Sequence, residues 1–200
     1  MNVASYFENA SHVGAPEEAA RFAASYGDRQ DEWWRACPCG SWLIWVAGNC
    51  GVDPALLVAA ACDCARQSLV YLPPGETRPE SVIAVAESWI RERATVDECR
   101  QAGDSIGAIQ RDIGDRLQDA SLAPIPGIFP AAAMMAAAAA EMPAMAAAFS
   151  GDPTLCANFA SQAAARAAAA ARFAVDDQEW WAMQARCAER VRRRIPELIG

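Results

Sequence analysis

Cysteine is the residue type that offers this chain the most chemistry. Eight are present, and two pairs are closely spaced: Cys37 and Cys39 flank Pro38, while Cys62 and Cys64 flank Asp63. Thiolates bind zinc and copper, but structural zinc sites usually leave two to four residues between ligands. On a helix, positions i and i+2 point about 200° apart, so Cys62 and Cys64 do not readily grip one ion. The pattern of thiols repeated along one core face, as a copper-storing bundle needs, is missing. The expectation is no metal site and no cofactor, with the Cys37/Cys39 loop as the one place where a metal would sit. The remaining thiols are expected to act as small buried hydrophobes.

Other catalytic parts are scarce. His12 is the sole histidine, so the usual nucleophile–base and metal-hydrolase schemes lack their components. No glycine-rich phosphate loop occurs. Asp31/Glu32 and Asp176/Asp177/Glu179 sit at predicted helix starts, where carboxylates favour the positive end of the helix dipole. No enzyme is expected.

Tryptophan is abundant, with seven residues. Trp42 and Trp45 share a helix face and should anchor the core, as should Trp89. Trp33/Trp34 and Trp180/Trp181 are adjacent pairs, and on a helix only one of two neighbours points squarely inward. Tryptophan left at a surface is favoured in protein interfaces. Trp33, Trp34, Trp180 and Trp181, with Asp176 and Asp177 beside the second pair, are therefore the candidate partner contacts.

The charge balance narrows the partner. Net charge is −8, and all 17 basic residues are arginine. Such a chain repels nucleic-acid backbones and steers basic proteins towards itself. The cluster Arg190, Arg192, Arg193 and Arg194 falls in the last turns of a predicted helix, where it complements the dipole. The first residues carry neither a basic nor an apolar leader pattern, so a cytoplasmic protein with reduced thiols is expected. The run Ala131–Phe149 is apolar enough to suggest a membrane span, but Glu141 and Pro143 interrupt it. A buried or partner-facing helix is the expectation, with no membrane.

The elements that must position these groups read as helices throughout. Alanine supplies much of the 54% hydrophobic content and has the strongest helix propensity. No convincing alternating segment argues for a strand. The expected fold is all-α, a compact bundle of about seven to nine helices. Helices are expected from Gly14 to Tyr26, from Asp28 to Arg35, after a cap at Ser41, and from Asp53-Pro54 to about Tyr71. Thr77 with Glu80 and Thr95 with Glu98 read as capping boxes opening two more. The second of these carries the stripe Ile106, Ile109, Ile113 and Leu117. Residues 1–120 form an N-terminal helical unit, the proline-rich 121–130 a linker, and 131–200 an alanine-rich unit packing on the first. A kink is expected at Pro143. Asp152-Pro153 opens the next helix, Asp176 with Glu179 can cap a last one, and whether those two are continuous is left open.

Several blocks together resemble a bacterial family of immunity proteins associated with polymorphic-toxin systems. They are Trp42–Trp45, the Ala-Cys-Asp-Cys-Ala-Arg run at Ala61–Arg66, and Arg78-Pro79 leading to Trp89. Gln184, Cys187, Val191-Arg192 and Ile195-Pro196 resemble the family's closing helix. The resemblance implies an all-helical protein that neutralises a cognate toxin by protein–protein contact, and the acidic charge adds the expectation that this toxin is basic. It transfers no binding-site motif, and a homodimer is left open. The Cys37-Pro38-Cys39 loop and Met134–Met145 are not features of the family. The alternative reading is a helical module that takes a small molecule or metal in a groove between the two halves, with Cys37 and Cys39.

Overall fold

Two alanine-rich helices, Pro130–Ala148 and Pro153–Ala174, lie against each other at the centre of a computed structural model that describes residues 17–27, 29–118 and 127–197. Alanine has no side chain beyond Cβ, so two such helices can approach closely and bury their faces almost without rotamer entropy. The nine α-helices of the described residues contain no strand partner, and the fold is all-α. His12, Pro16 and most of segment 121–130 lie outside the described residues.

In chain order the helices are α1 Glu17–Ala24, α2 Gln30–Ala36, α3 Gly40–Asn49, α4 Pro54–Ser68, α5 Arg78–Ile90, α6 Val96–Gln118, α7 Pro130–Ala148, α8 Pro153–Ala174 and α9 Asp177–Arg194. A 3-10 turn, Leu69–Tyr71, extends α4. α4 lies against both central helices; α5 and α6 flank α7, and α3 and α9 flank α8. One apolar cluster runs from Ala19 to Ile195 through all nine helices. α7 is long and apolar enough to cross a membrane. Its alanines from Ala136 to Ala140 are nonetheless buried against the neighbouring helices. The helix continues through Pro143, which can donate no backbone hydrogen bond at that point.

The helix boundaries follow local chemistry, with two departures from expectation. Asp53 accepts the second helical amide and Asp152 the second and third, and each is followed by proline, as N-caps should be. The Thr95/Glu98 box is formed: the Thr95 amide donates to Glu98 at 2.7 Å, and the Glu98 amide donates to Thr95 Oγ1 at 3.2 Å. The Thr77/Glu80 box is not. Thr77 has near-helical backbone angles unsuited to a cap, and Glu80 instead accepts from Arg66 at 2.9 Å. Glu76 takes the role by accepting the Arg78 amide at 3.1 Å.

Ser41 is likewise not the cap of α3, which already begins at Gly40. The Ser41 amide donates to Gln184 Oε1 at 3.2 Å, so a side chain of α9 closes the helix. Gly40 permits that approach: a Cβ there would stand 2.5 Å from Cys187 Cβ. Gly48 serves the same end against α8, where a Cβ would meet Ala157 Cβ at 2.4 Å.

Candidate partner-binding corner

The chain leaves α8 and enters α9 through a two-residue break, Val175 and Asp176. The two helices are therefore separate. Asp176 adopts extended backbone angles and accepts the Glu179 amide at 2.8 Å, which starts α9. Asp177 pairs with Arg172 across the break at 2.5 Å, and Glu179 pairs with Arg186 at 2.5 Å. These links fix the turn, and three large apolar side chains stand outward on it. Phe173 is 52% exposed, Val175 65% and Trp181 47%. Trp180 is half buried, and its ring meets that of Trp181 edge-on with centroids 4.5 Å apart.

That cluster is the strongest candidate for a contact surface. Leaving these three side chains in water forgoes the free energy that burying them would release, and rigid aromatic groups dominate interface energetics. Tyr71, at the end of the 3-10 turn, lies close enough to Glu179 and Arg186 to feel both charges. Burial raises its phenol pKa above the ordinary value.

The sequence-predicted residues divide between two places. Trp180, Trp181, Asp176 and Asp177 are brought together at this corner. Asp176 and Asp177 already serve as cap and ion-pair partner there. Trp33 and Trp34, in contrast, are 0% and 3% exposed and belong to the core, so they are not surface contacts. The expectation that one of the two must face outward fails because α2 is enclosed on more than one side. The C-terminal end of α9 reaches over it: Arg192 Nε donates to the Trp34 carbonyl at 2.9 Å, and its Nη2 donates to the Cys37 carbonyl. Phe173 and Val175 escaped the sequence reading. Their signal was apolar residues placed at the end of an alanine helix, just before an acidic helix start.

The thiol expectations are also revised in place. Cys37 and Cys39, expected in an open loop, are fully buried. Burial pushes the Cys37 thiol up to about 12 and the Cys39 thiol to about 11. No disulfide joins the eight cysteines. Among the described residues no three histidine, cysteine or acidic side chains gather closely enough to surround a metal ion.

Two adjoining open depressions of about 520 and 310 Å³ lie between α5 and α6 and share Val85, Ala102 and Ser105. Both helices belong to the N-terminal half, and Cys37 and Cys39 line neither depression.

The arginines near the C-terminus do more than face the dipole. Arg194 holds Asp63 of α4 through two bonds, 2.7 and 3.0 Å long, and Arg192 ties α9 to α2. The chain matches no protein-family model, no curated protein and no solved structure.

Proposed function

We propose that the chain is an immunity-type binding protein that neutralises a basic cognate toxin in the cytoplasm by covering it, without chemistry of its own. The observation that carries this reading is the outward cluster of Phe173, Val175 and Trp181, braced by ion pairs on a rigid helix corner. Hot spots in interfaces are built this way, from fixed aromatic side chains whose burial needs little further ordering. The net charge of −8 suits a basic partner by raising the rate of encounter. Eight cysteines without a disulfide suit a reducing compartment. The resemblance of the Trp42–Trp45, Ala61–Arg66 and Gln184–Pro196 blocks to immunity proteins points the same way.

Co-expression with the product of a neighbouring toxin gene is the direct test. Rescue of growth by the wild-type chain, weakened in a Phe173→Ala/Trp181→Ala variant that still folds, is the expected result. Growth no better than with an empty vector sinks the reading.

A further inference from the structure

Two surfaces of this chain are complementary to each other. The corner between α8 and α9 is a knob: Phe173, Val175 and Trp181 stand outward on it, and the 3-10 turn packed on α8 adds Val70, 74% exposed. The depressions between α5 and α6 are concave. Val82 and Ile109 are buried at their base, Val85 and Ala102 are half covered, and Ser81, Ser88 and Ser105 line them with short side chains. Apolar groups left half covered in a groove gain burial when a partner fills it, and aromatic side chains entering such grooves are the usual source of interface energy.

Charge follows the same pattern. An arginine stands at each end of the groove, Arg78 lining one depression and Arg93 the other. Arg78 is engaged with Glu76 and Asp112, while Arg93 is exposed and forms no ion pair among the described residues. Glu98, the acidic residue lining the groove, is held by Thr95, whose amide and hydroxyl donate to it at 2.7 and 2.9 Å. The corner instead gathers Asp176, Asp177 and Glu179 at the start of α9, against Arg172 and Arg186, and the Asp177 side chain is 78% exposed. In a molecule of net charge −8, a groove ended by arginines is where an acidic corner is best received. Two corners facing each other would instead set carboxylates against carboxylates. Within one chain the two surfaces lie on different sides of the central pair, α5 and α6 flanking α7 and α9 flanking α8, so the match is made between copies.

We propose that the chain associates head to tail with a second copy of itself, the α8–α9 corner of one copy entering the α5–α6 groove of the next. Such a contact is heterologous: a corner and a groove stay unused at the two ends of the series unless it closes into a ring. The inference goes beyond the toxin reading and does not rest on it, since it concerns the chain alone. A toxin seated on the corner would compete with the sister copy.

The test is sedimentation equilibrium of the full purified chain, with no toxin present, over a range of concentrations. The mass of the wild type should rise above that of one chain as concentration increases. Phe173→Ala/Trp181→Ala removes the knob. Ser105→Glu, at an exposed position shared by both depressions, fills the groove and makes it acidic. Each variant should weaken self-association at least about tenfold. Mixed in equal amounts, the two should form a dimer and nothing larger, because one supplies the intact groove and the other the intact corner. If Ser105→Glu fails to fold, Ser88→Glu on the facing helix replaces it. A wild type that stays at the mass of one chain at every concentration overturns the proposal. So does either variant associating as the wild type does, or a mixture that remains monomeric, as corner-to-corner pairing would leave it. Growth rescue by the wild-type chain is read separately, so failure here and failure of the toxin reading are distinguishable.

Discussion

Gln184 closes the first turn of a helix from 143 residues further along the chain than Ser41: its Oε1 accepts the Ser41 amide, and its Nε2 stands 3.5 Å from Ser41 Oγ. It is one of two fully buried polar side chains among the described residues, the other being Ser68. The first turn of α3 thus receives its cap from α9, and the two helices are registered by a polar contact inside an apolar seam. Buried amides left unpaired cost more than the bonds they make contribute. Gln184→Ala should therefore destabilise the fold by about 1–3 kcal/mol in urea titration. Ser41→Ala should cost less, because the amide is the main donor. A double-mutant cycle should return a coupling clearly different from zero.

The glycines make a second, sharper contrast. Gly40→Ala and Gly48→Ala each place a Cβ far inside van der Waals contact with a neighbouring Cβ, 2.5 and 2.4 Å away. Helix backbones must separate to admit it, at roughly 1–3 kcal/mol each. Gly107→Ala meets nothing nearer than Arg111 Nη1 at 3.8 Å. It should instead raise the melting temperature, since alanine gains about 0.5–1 kcal/mol over glycine inside a helix.

Glu76 sets an acid limit. Its side chain is only 3% exposed and lies between Arg78 and Arg116, which holds the segment before α5 against α6. The bond from Arg78 is the largest cause of a carboxyl pKa lowered from 4.5 to about 2. A carboxylate whose folded value is depressed stabilises the fold above its unfolded value and loses that contribution as pH falls through the folded one. The loss should therefore run from 4.5 down to about 2. Glu76→Gln should be less stable by about 2 kcal/mol at neutral pH. The gap to the wild type should close in acid, as read from denaturation curves at several pH values.

The two tryptophan pairs should separate cleanly. Trp33→Ala removes a fully buried ring and should cost about 3–5 kcal/mol. Trp181→Ala should change stability by no more than about 0.5 kcal/mol while weakening partner capture. Asp176→Ala should cost about 1 kcal/mol through the lost cap. That places its effect in folding rather than recognition, and calorimetry against binding measured on the same variants tells the two apart.

The helices were legible because their signals are local. Alanine propensity, the Asp-Pro starts at Asp53 and Asp152, and the isoleucine stripe of α6 each act within a few residues, and each placed its element. The stripe is buried at Ile106, Ile109 and Ile113. The failures share one cause. Glu80 was drawn from its box by Arg66, fourteen residues away, and Ser41 from its cap by Gln184. Trp33 and Trp34 were both enclosed because the end of α9 folds over α2. Tertiary partners decided these cases, and spacing along the chain carries no record of them.

The alanine seam between α7 and α8 bears on how such a chain can diversify. Truncation has almost nothing left to remove there, and enlargement collides at once, so inherited change in the middle of the molecule is confined to a narrow set of residues. Outward-facing turns are under no such restraint. Duplicated copies would be expected to keep their interior nearly fixed while the exposed Phe173, Val175 and Trp181 change more freely.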